Sequence, residues 1–207
     1  MTAASARRRF DALLAEMFDH PERREAIVGR IEAEFGREAA VLVLDSSGFT
    51  RTTRDHGIFA FLLMIVQLKR LARPVIEAHG GRLVKEEADN LFCLFPDAAA
   101  AVAASWAIVG ALDAANPALP PPFRLYASIG IAQGWVLDLA GEDLFGDTVN
   151  LACKLGEDVA QRGEILITEE GFATLGAGIA GRRAQVSVSG LPLAYRVLRE
   201  GSEGGDG

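Results

Sequence analysis

Two aspartates, Asp45 and Asp89, are candidate ligands for a metal ion. Asp45 ends the apolar run 41–44, whose valines and leucines predict a buried strand. Asp89 lies at the tip of a predicted hairpin that joins residues 82–87 to residues 91–95. The order strand, helix, hairpin places both carboxylates on adjacent central strands, and such oxygen ligands suit Mg²⁺ or Mn²⁺. Asp45 considered alone fits a helix cap better than a metal site, so its pairing with Asp89 favours the metal site.

The segment after Asp45 adds a second chemical possibility. A turn that leads into a long apolar helix is predicted for Ser46, Ser47, Gly48, Phe49 and Thr50. Backbone amides at a turn and at a helix start point towards bound anions. This segment is therefore expected to hold phosphate oxygens next to the cation.

The elements that must position these residues predict an α+β fold with a ferredoxin-like βαββαβ core. In chain order they are the strand ending at Asp45, a helix over 58–78, the hairpin, a helix over 97–116, strands over 124–132 and 136–139, a helix within 141–155, a strand over 164–168, a helix over 169–175, and paired strands over 185–188 and 194–198. Gly134 is expected to introduce a turn or bulge, and Asp147 or Thr148 to cap the helix that follows.

Two amphipathic helices are predicted before this core. Apolar residues recur at helical spacing over 6–18, and Pro21 suits the first turn of the second helix. The predicted organisation is an N-terminal helical extension over 1–37, a catalytic domain over 38–199 and a flexible tail over 200–207. A packing appendage and a regulatory or dimerising role are both open for the extension, since amphipathicity alone names no partner.

Composition narrows the classes of partner. The chain has 207 residues, half of them hydrophobic, and a net charge of −7. That charge disfavours nucleic acid as a partner, but it leaves room for a small nucleotide bound through metal ions. The longest apolar run, 58–66, is much shorter than the roughly 18 residues of a membrane span. With no secretory signal pattern at the N-terminus, the expected location is the cytoplasm, without membrane attachment.

Over about residues 40–198, the sequence resembles the catalytic domain of class III adenylyl and guanylyl cyclases. The resemblance rests on five segments in the family's order: LDSSGFT, VKEEADNLFCLF, SIGIAQG, DLFGDTVNLACK and SGLPLAYRV. The second resembles the family's K-x-x-G-D hairpin with Ala88 in place of the usual Gly. The fourth resembles D-x-x-G-x-x-V-N-x-A-x-R, with Lys154 at the position of the Arg.

The resemblance implies a role for each matched residue. Asp45 and Asp89 would bind two Mg²⁺ or Mn²⁺ ions, and the amides from Ser46 to Thr50 would bind phosphates. From the facing protomer of a homodimer, Lys85 and Asp143 would read the base. A Lys donor with an Asp acceptor fits adenine, so ATP is the expected substrate and 3′,5′-cyclic AMP the expected product.

Two further residues are implied to act on the substrate. Asn150 would orient the ribose, and Lys154 would stabilise charge on the α-phosphate. Lysine keeps the positive charge of the usual arginine but lacks its planar fork, so activity is expected to be lower unless another residue assists. Trp135 and Ser189 stand where some relatives carry phosphate-binding cations, which shifts triphosphate binding towards the metals.

These departures leave two alternatives open. One is a pyrimidine nucleotide cyclase of the kind that bacterial antiphage systems use, because the same fold and metal site serve other bases. The other is a degenerate domain that binds nucleotide and regulates another protein. Retention of both metal-binding aspartates argues against the second.

Overall fold

The computed structural model describes residues 3–46, 54–188 and 190–199. The predicted phosphate-binding residues Ser47, Gly48, Phe49 and Thr50 lie outside the described residues, as do Ser189 and the predicted tail over 200–207. Within the described part, the chain forms an α+β structure with an open sheet of eight strands. The predicted fold class is therefore confirmed.

Strand β1, Gly36–Ser46, is the strand on which the sheet is built. It pairs antiparallel with β3 (Asn90–Phe95) on one side and with β4 (Ala127–Asp138) on the other. β1 is buried because residues 39–44 are all apolar, as expected for a strand covered on both faces. The remaining strands are β2 (Arg82–Glu87), β5 (Leu144–Phe145), β6 (Ile165–Thr168), β7 (Ala180–Val188) and β8 (Leu191–Arg199).

The sheet order is β2-β3-β1-β4-β6-β8-β7, and β5 pairs with β4 outside this path. β4 and β6 are parallel, whereas the other pairs are antiparallel. The order places the β2–β3 hairpin next to β1. The carboxyl end of β1 therefore lies beside the turn that joins β2 to β3.

Helices cover both faces of the sheet. The α3 helix (Ile58–Ala78) and the α4 helix (Ala98–Ala115) pack on one face, where the largest apolar cluster includes Leu42, Leu44 and Leu68. The opposite face carries α5 (Asp147–Cys153), which continues directly into a π-helix over Lys154–Val159. The short α6 helix spans Glu169–Ala173.

The N-terminal helices are α1 (Ala3–Asp19) and α2 (Arg24–Phe35). They pack against each other and against the end of β4, in a separate apolar cluster that includes Phe10, Phe35 and Leu139. β1 begins at Gly36, directly after α2. The division of the chain into an extension and a catalytic domain stays a prediction.

The strongly apolar α4 helix packs in the hydrophobic core. Together with the turn after it, Ala98–Ala118 is the one helical segment of the described chain that is long and apolar enough, by length and composition, to cross a membrane. Core helices that pack on a sheet meet the same criterion. Here Ala101, Val102, Ile108 and Leu112 are buried in the cluster beneath β1.

Two local predictions were wrong. β4 runs without a break through Gly134, and the absence of a side chain there makes room for Thr148, because a Cβ on Gly134 would lie 2.8 Å from Thr148 Oγ1. The N-cap of α5 is Gly146, not Asp147 or Thr148. The Thr148 hydroxyl instead donates to the carbonyl oxygen of Trp135 at 3.0 Å, so it ties the helix to β4.

The π-helix approaches the sheet through a pair of glycines. A Cβ on Gly130 would overlap the Ala152 carbonyl oxygen and the Gly156 amide nitrogen. A Cβ on Gly156 would lie 2.7 Å from the Val43 carbonyl oxygen. Both clashes are with backbone atoms, which cannot rotate away.

We expect Gly130→Ala to lower the free energy of unfolding by about 3 kcal/mol, because β4 and the π-helix must move apart. Denaturant unfolding measures this effect. The matched control is Gly110→Ala, in the exposed part of α4, where a Cβ meets nothing within 4 Å. It should raise stability by about 0.5–1 kcal/mol through helix propensity. Equal effects of the two substitutions would contradict the close approach.

Candidate active site

The two predicted metal-binding aspartates lie at the same edge of the sheet. Asp45 is the penultimate residue of β1 and pairs with Ser128 of β4. Asp89 lies in the β2–β3 turn, and the Ser46 hydroxyl donates to Asp89 Oδ2 at 2.5 Å. Ser46 therefore links the end of β1 to the hairpin and holds one oxygen of Asp89 in place.

Negative charge accumulates around Asp45. Burial, as the largest cause, and the nearby carboxylates of Asp89 and Glu157 together raise the pKa of Asp45 to about 6. Burial also raises the pKa of Glu157, as do Asp158, Glu87 and Asp89, against the lowering effect of Lys85. Burial and neighbouring carboxylates thus oppose the ionisation of Asp45 and Glu157, and a divalent cation would relieve the repulsion.

Glu157 is a residue that sequence reasoning missed. It lies in the π-helix after α5, and its Oε1 accepts a hydrogen bond from Asn90 Nδ2 at 3.0 Å. Nothing in the local sequence marks it, because an α-helical continuation would orient the side chains after Lys154 differently. The wider turn of the π-helix brings Glu157 to the hairpin.

The carboxylates of Asp45 and Asp89 could supply part of the ligands of an Mg²⁺ or Mn²⁺ ion. Among the described residues, no three His, Cys, Asp or Glu side chains converge as a complete metal site. Asp45 and Asp89 supply carboxylate oxygens only, and Mg²⁺ commonly binds one or two such groups while phosphates and water complete its shell. The residues fit a metal that arrives with a phosphorylated substrate better than a permanently bound one.

The turn that carries Asp89 is strained at Ala88. Ala88 has a φ of 50°, in the left-handed region that glycine adopts without penalty. Ala88 is also the position at which the K-x-x-G-D hairpin of the cyclase family usually has a glycine. The side chain costs about 1 kcal/mol in this conformation.

A donor–acceptor pair lies beside this acidic region. Lys85 Nζ is 3.0 Å from Asp143 Oδ1 and 2.8 Å from Glu87 Oε1, and it lies over the ring of Phe92 at 4.6 Å. Burial lowers the pKa of Lys85, but hydrogen bonds to Glu87 and Asp143 outweigh burial and raise it. Lys85 is therefore a fixed cation, and the structure brings together the two residues predicted to read a base.

Asp143 is held from several sides. Its Oδ1 also accepts from the Leu144 amide at 2.9 Å, and its Oδ2 lies 3.3 Å from the guanidinium of Arg7. Sequence reasoning missed Arg7, because the N-terminal helix gave no sign of where it docks. The carboxylate of Asp143 is only 18% exposed.

The two remaining predicted residues lie on the segment after β5. Asn150 is exposed on α5, and the Lys154 amide donates to the Asn150 carbonyl oxygen across one helical turn. Lys154 Nζ forms an ion pair with Asp158 at 2.7 Å. Lys154 is thus tied to its own helix, and among the described residues it forms no ion pair with Asp45, Asp89 or Glu157.

The sheet centred on β1, with helices on both faces, has the fold of nucleotide cyclase catalytic domains. No family model matches the sequence. The fold matches the crystal structure of the guanylyl cyclase Cya2 with a TM-score of 0.71 and 23% identity, over 81% of this chain and 94% of that chain. This likeness concerns the fold.

Curated relatives agree with that class. The chain is 30% identical over 133 residues to a protein named putative adenylate cyclase 3 from Rhizobium meliloti (strain 1021). It is 32% identical over 139 residues to a protein named adenylate cyclase from Streptomyces coelicolor. The matches cover 64% and 67% of this chain but only 22% and 34% of the two relatives.

The chain belongs to the class III adenylyl and guanylyl cyclase catalytic-domain family. This confirms the resemblance found in the sequence. Because the chain spans only 22% and 34% of the lengths of these two relatives, their names do not decide its own substrate.

The raised pKa of Asp45 yields a prediction for the metal-free protein. Its folded-state pKa of about 6 exceeds the ordinary value of 3.8, so the folded state binds more protons between these two values. Asp45 therefore costs stability increasingly as pH rises through this window, and the cost is complete above pH 6. Asp45→Asn should raise the midpoint of urea unfolding at pH 8 and change it little at pH 4, as measured with a chelator present. A stabilisation of equal size at both pH values would contradict the shift.

Proposed function

We propose that the chain is the catalytic domain of a metal-dependent nucleotide cyclase that converts ATP to 3′,5′-cyclic AMP and pyrophosphate. The observation that carries this proposal is that one chain holds two complementary parts. One is the uncompensated carboxylate group around Asp45 and Asp89. The other is the fixed Lys85–Asp143 donor–acceptor pair. The family supports a cyclase, and the residues support the choice of substrate.

The chemistry divides between these parts. Two Mg²⁺ or Mn²⁺ ions, when bound by Asp45 and Asp89, would supply charge neutralisation of the triphosphate and acidify the ribose 3′-hydroxyl. In-line attack of that oxygen on the α-phosphorus releases pyrophosphate, and positioning dominates the rate of such transfers. Ser46 holds Asp89 in the orientation that this site needs.

The protein's other residues would orient the nucleotide. Lys85 would donate to N1 of adenine and Asp143 would accept from its 6-amino group, whereas guanine presents the opposite polarity at these positions. Asn150 would orient the ribose, and Lys154 would face charge that develops on the α-phosphate. Lys154 must first leave Asp158, which is accessible to water.

The site is proposed to form in a homodimer with two equivalent sites. Asp45, Asp89 and the segment from Ser46 to Thr50 would come from one protomer, and Lys85, Asp143, Asn150 and Lys154 from its partner. A cytoplasmic location, without nucleic-acid or membrane partners, stays a prediction from the sequence.

The purified protein with Mn²⁺ should produce 3′,5′-cyclic AMP when ATP, GTP, CTP and UTP are offered in competition and the products are separated by mass spectrometry. Asp89→Asn should lower the rate at least about a hundredfold, because one metal ligand loses its charge. A pyrimidine product would support the alternative of a pyrimidine cyclase. Tight ATP binding without any cyclic product, unchanged by Asp89→Asn, would support a degenerate binding domain.

The composite site predicts complementation between two inactive variants. Asp89→Asn damages the metal part and Asn150→Ala damages the ribose part. A heterodimer purified through two different tags has one site with both defects and one with neither, so it should show about half of the wild-type rate. Each homodimer alone serves as the control. A heterodimer no more active than the homodimers would argue against a site shared between protomers.

Lys154→Arg should raise kcat severalfold, because a guanidinium can make two hydrogen bonds to a phosphate. Steady-state kinetics on ATP measures this change. The control for an exchange between Lys and Arg is Arg183→Lys. Arg183 lies on β7, where it forms an exposed ion pair with Glu169, and its replacement should leave kcat unchanged. A fall in kcat for Lys154→Arg would mean that the position needs a compact ammonium.

A further inference from the structure

Arg7 connects the N-terminal helix to the predicted base-reading pair. Its Nη1 lies 3.3 Å from Asp143 Oδ2, while its Nε lies 3.1 Å from Asp11 one turn along the same helix. Asp11 therefore restrains the guanidinium on the helix side. Asp143 is 136 residues away in sequence, so only the docking of α1 brings the two together.

A second contact fixes that docking. Phe10, one turn after Arg7 on α1, stacks on Phe145 with ring centroids 5.5 Å apart and planes 12° apart. Phe145 is two residues after Asp143, in β5. The same Phe10 packs edge-on against Phe35 of α2. An aromatic stack and an ion pair, one helical turn apart, thus hold the segment that carries Asp143.

The loop before Asp143 is held in the same way. Leu139 is buried in the cluster with Ala6 and Phe10, and its amide donates to the Asp143 carbonyl oxygen at 3.0 Å. Within this loop Ala140 has a φ of 51° and Gly141 a φ of 93°. Gly141 adopts this region without strain, but Ala140 does not, so contacts from outside the loop help to hold its conformation. The N-terminal helices supply those contacts at both ends.

The hydrogen bonds of Asp143 define what its carboxylate can still accept. Oδ1 accepts a hydrogen bond from the Leu144 amide and lies 3.0 Å from Lys85 Nζ. Of these three donors, only Arg7 donates to Oδ2. A carboxylate oxygen has two lone pairs, so Oδ2 keeps one for an incoming donor.

We propose that Arg7 is a positioning residue for base selection: it orients Asp143 so that the free lone pair of Oδ2 meets the exocyclic amino group of adenine. This inference rests on the proposed function. Without Arg7 the carboxylate can rotate, and it then distinguishes an amino group from a carbonyl oxygen less well. The N-terminal helices thereby become part of the base-reading half of the site.

The test compares Arg7→Ala with Arg9→Ala. Arg9 lies on the same helix, is similarly exposed and forms an ion pair with Glu34 at 2.7 Å, on a different partner. Equilibrium binding to the 207-residue chain is measured by calorimetry with Mn²⁺ and the 3′-deoxy forms of ATP and GTP, which lack the attacking hydroxyl and cannot cyclise, alongside kcat and KM for ATP and GTP. Arg7→Ala should weaken ATP binding about threefold to tenfold, as expected for a half-exposed ion pair, and leave GTP binding nearly unchanged.

Three further readouts separate positioning from a general structural effect. The KM for ATP should rise with the loss of affinity, while kcat stays within about twofold, because Arg7 acts on base recognition and not on the phosphates. Arg7→Lys should recover most of the ATP preference, since it keeps the charge. Thermal unfolding of Arg7→Ala and Arg9→Ala should be similar.

The outcomes distinguish this inference from the proposed function. If the wild type binds ATP in preference to GTP but forms no cyclic product, the cyclase proposal fails and the binding comparison still decides the role of Arg7. Equal ATP preference in Arg7→Ala and Arg9→Ala would overturn the inference. Tighter ATP binding by Arg7→Ala would also overturn it, because Arg7 would then block the base instead of orienting its partner. A wild type that binds neither nucleotide contradicts both proposals.

Discussion

The unfavourable ionisation of Asp45, which is partly buried and close to other carboxylates at the end of β1, is the constraint on which the site depends. Asp45 is half-buried beside Asp89 and Glu157, so its ionisation is unfavourable in the protein alone. The fold brings these groups together at a cost in stability, which the proposed binding of a dication would offset. The close approach of Gly130 and Gly156 belongs to the same arrangement, because it lets the π-helix carry Glu157 up to the hairpin.

The lysines near the site pair with other carboxylates and do not neutralise the negative charge around Asp45. Lys85 is held by Glu87 and Asp143, and Lys154 by Asp158. Lys85 moderates the pKa of Glu157, but neither lysine forms an ion pair with Asp45 or Asp89 among the described residues. A single protomer therefore has a negative part and a separately paired positive part, which agrees with the proposed site shared between two copies.

The sequence predicted the site residues that short local patterns mark, and it missed those that only tertiary packing brings to the site. Asp45 at a strand end and Asp89 at a hairpin tip are marked by short patterns, and pairing of consecutive elements brings them together. Lys85 and Asp143 lie far apart in sequence, and only the family motif linked them. Glu157 and Arg7 had no such signal: a π-helix has no sequence signature of its own, and the docking of α1 depends on tertiary packing of Phe10. The error at Gly134 has the same origin, because the glycine serves Thr148 on another element and not the local turn.

The N-terminal helices acquire a meaning from what they touch. Amphipathicity alone allowed a packing appendage, a dimerising element or a regulator. In the structure, their apolar face covers Leu139 and Phe145, on either side of Asp143, and Arg7 reaches the Asp143 carboxylate itself. Any displacement of α1 would remove the ion pair and the aromatic stack together, because Arg7 and Phe10 share one face of one helix. If Asp143 reads the base as proposed, a signal that moved the N-terminal helices would alter base recognition without contacting Asp45 and Asp89, which lie at the end of β1 and in the β2–β3 turn.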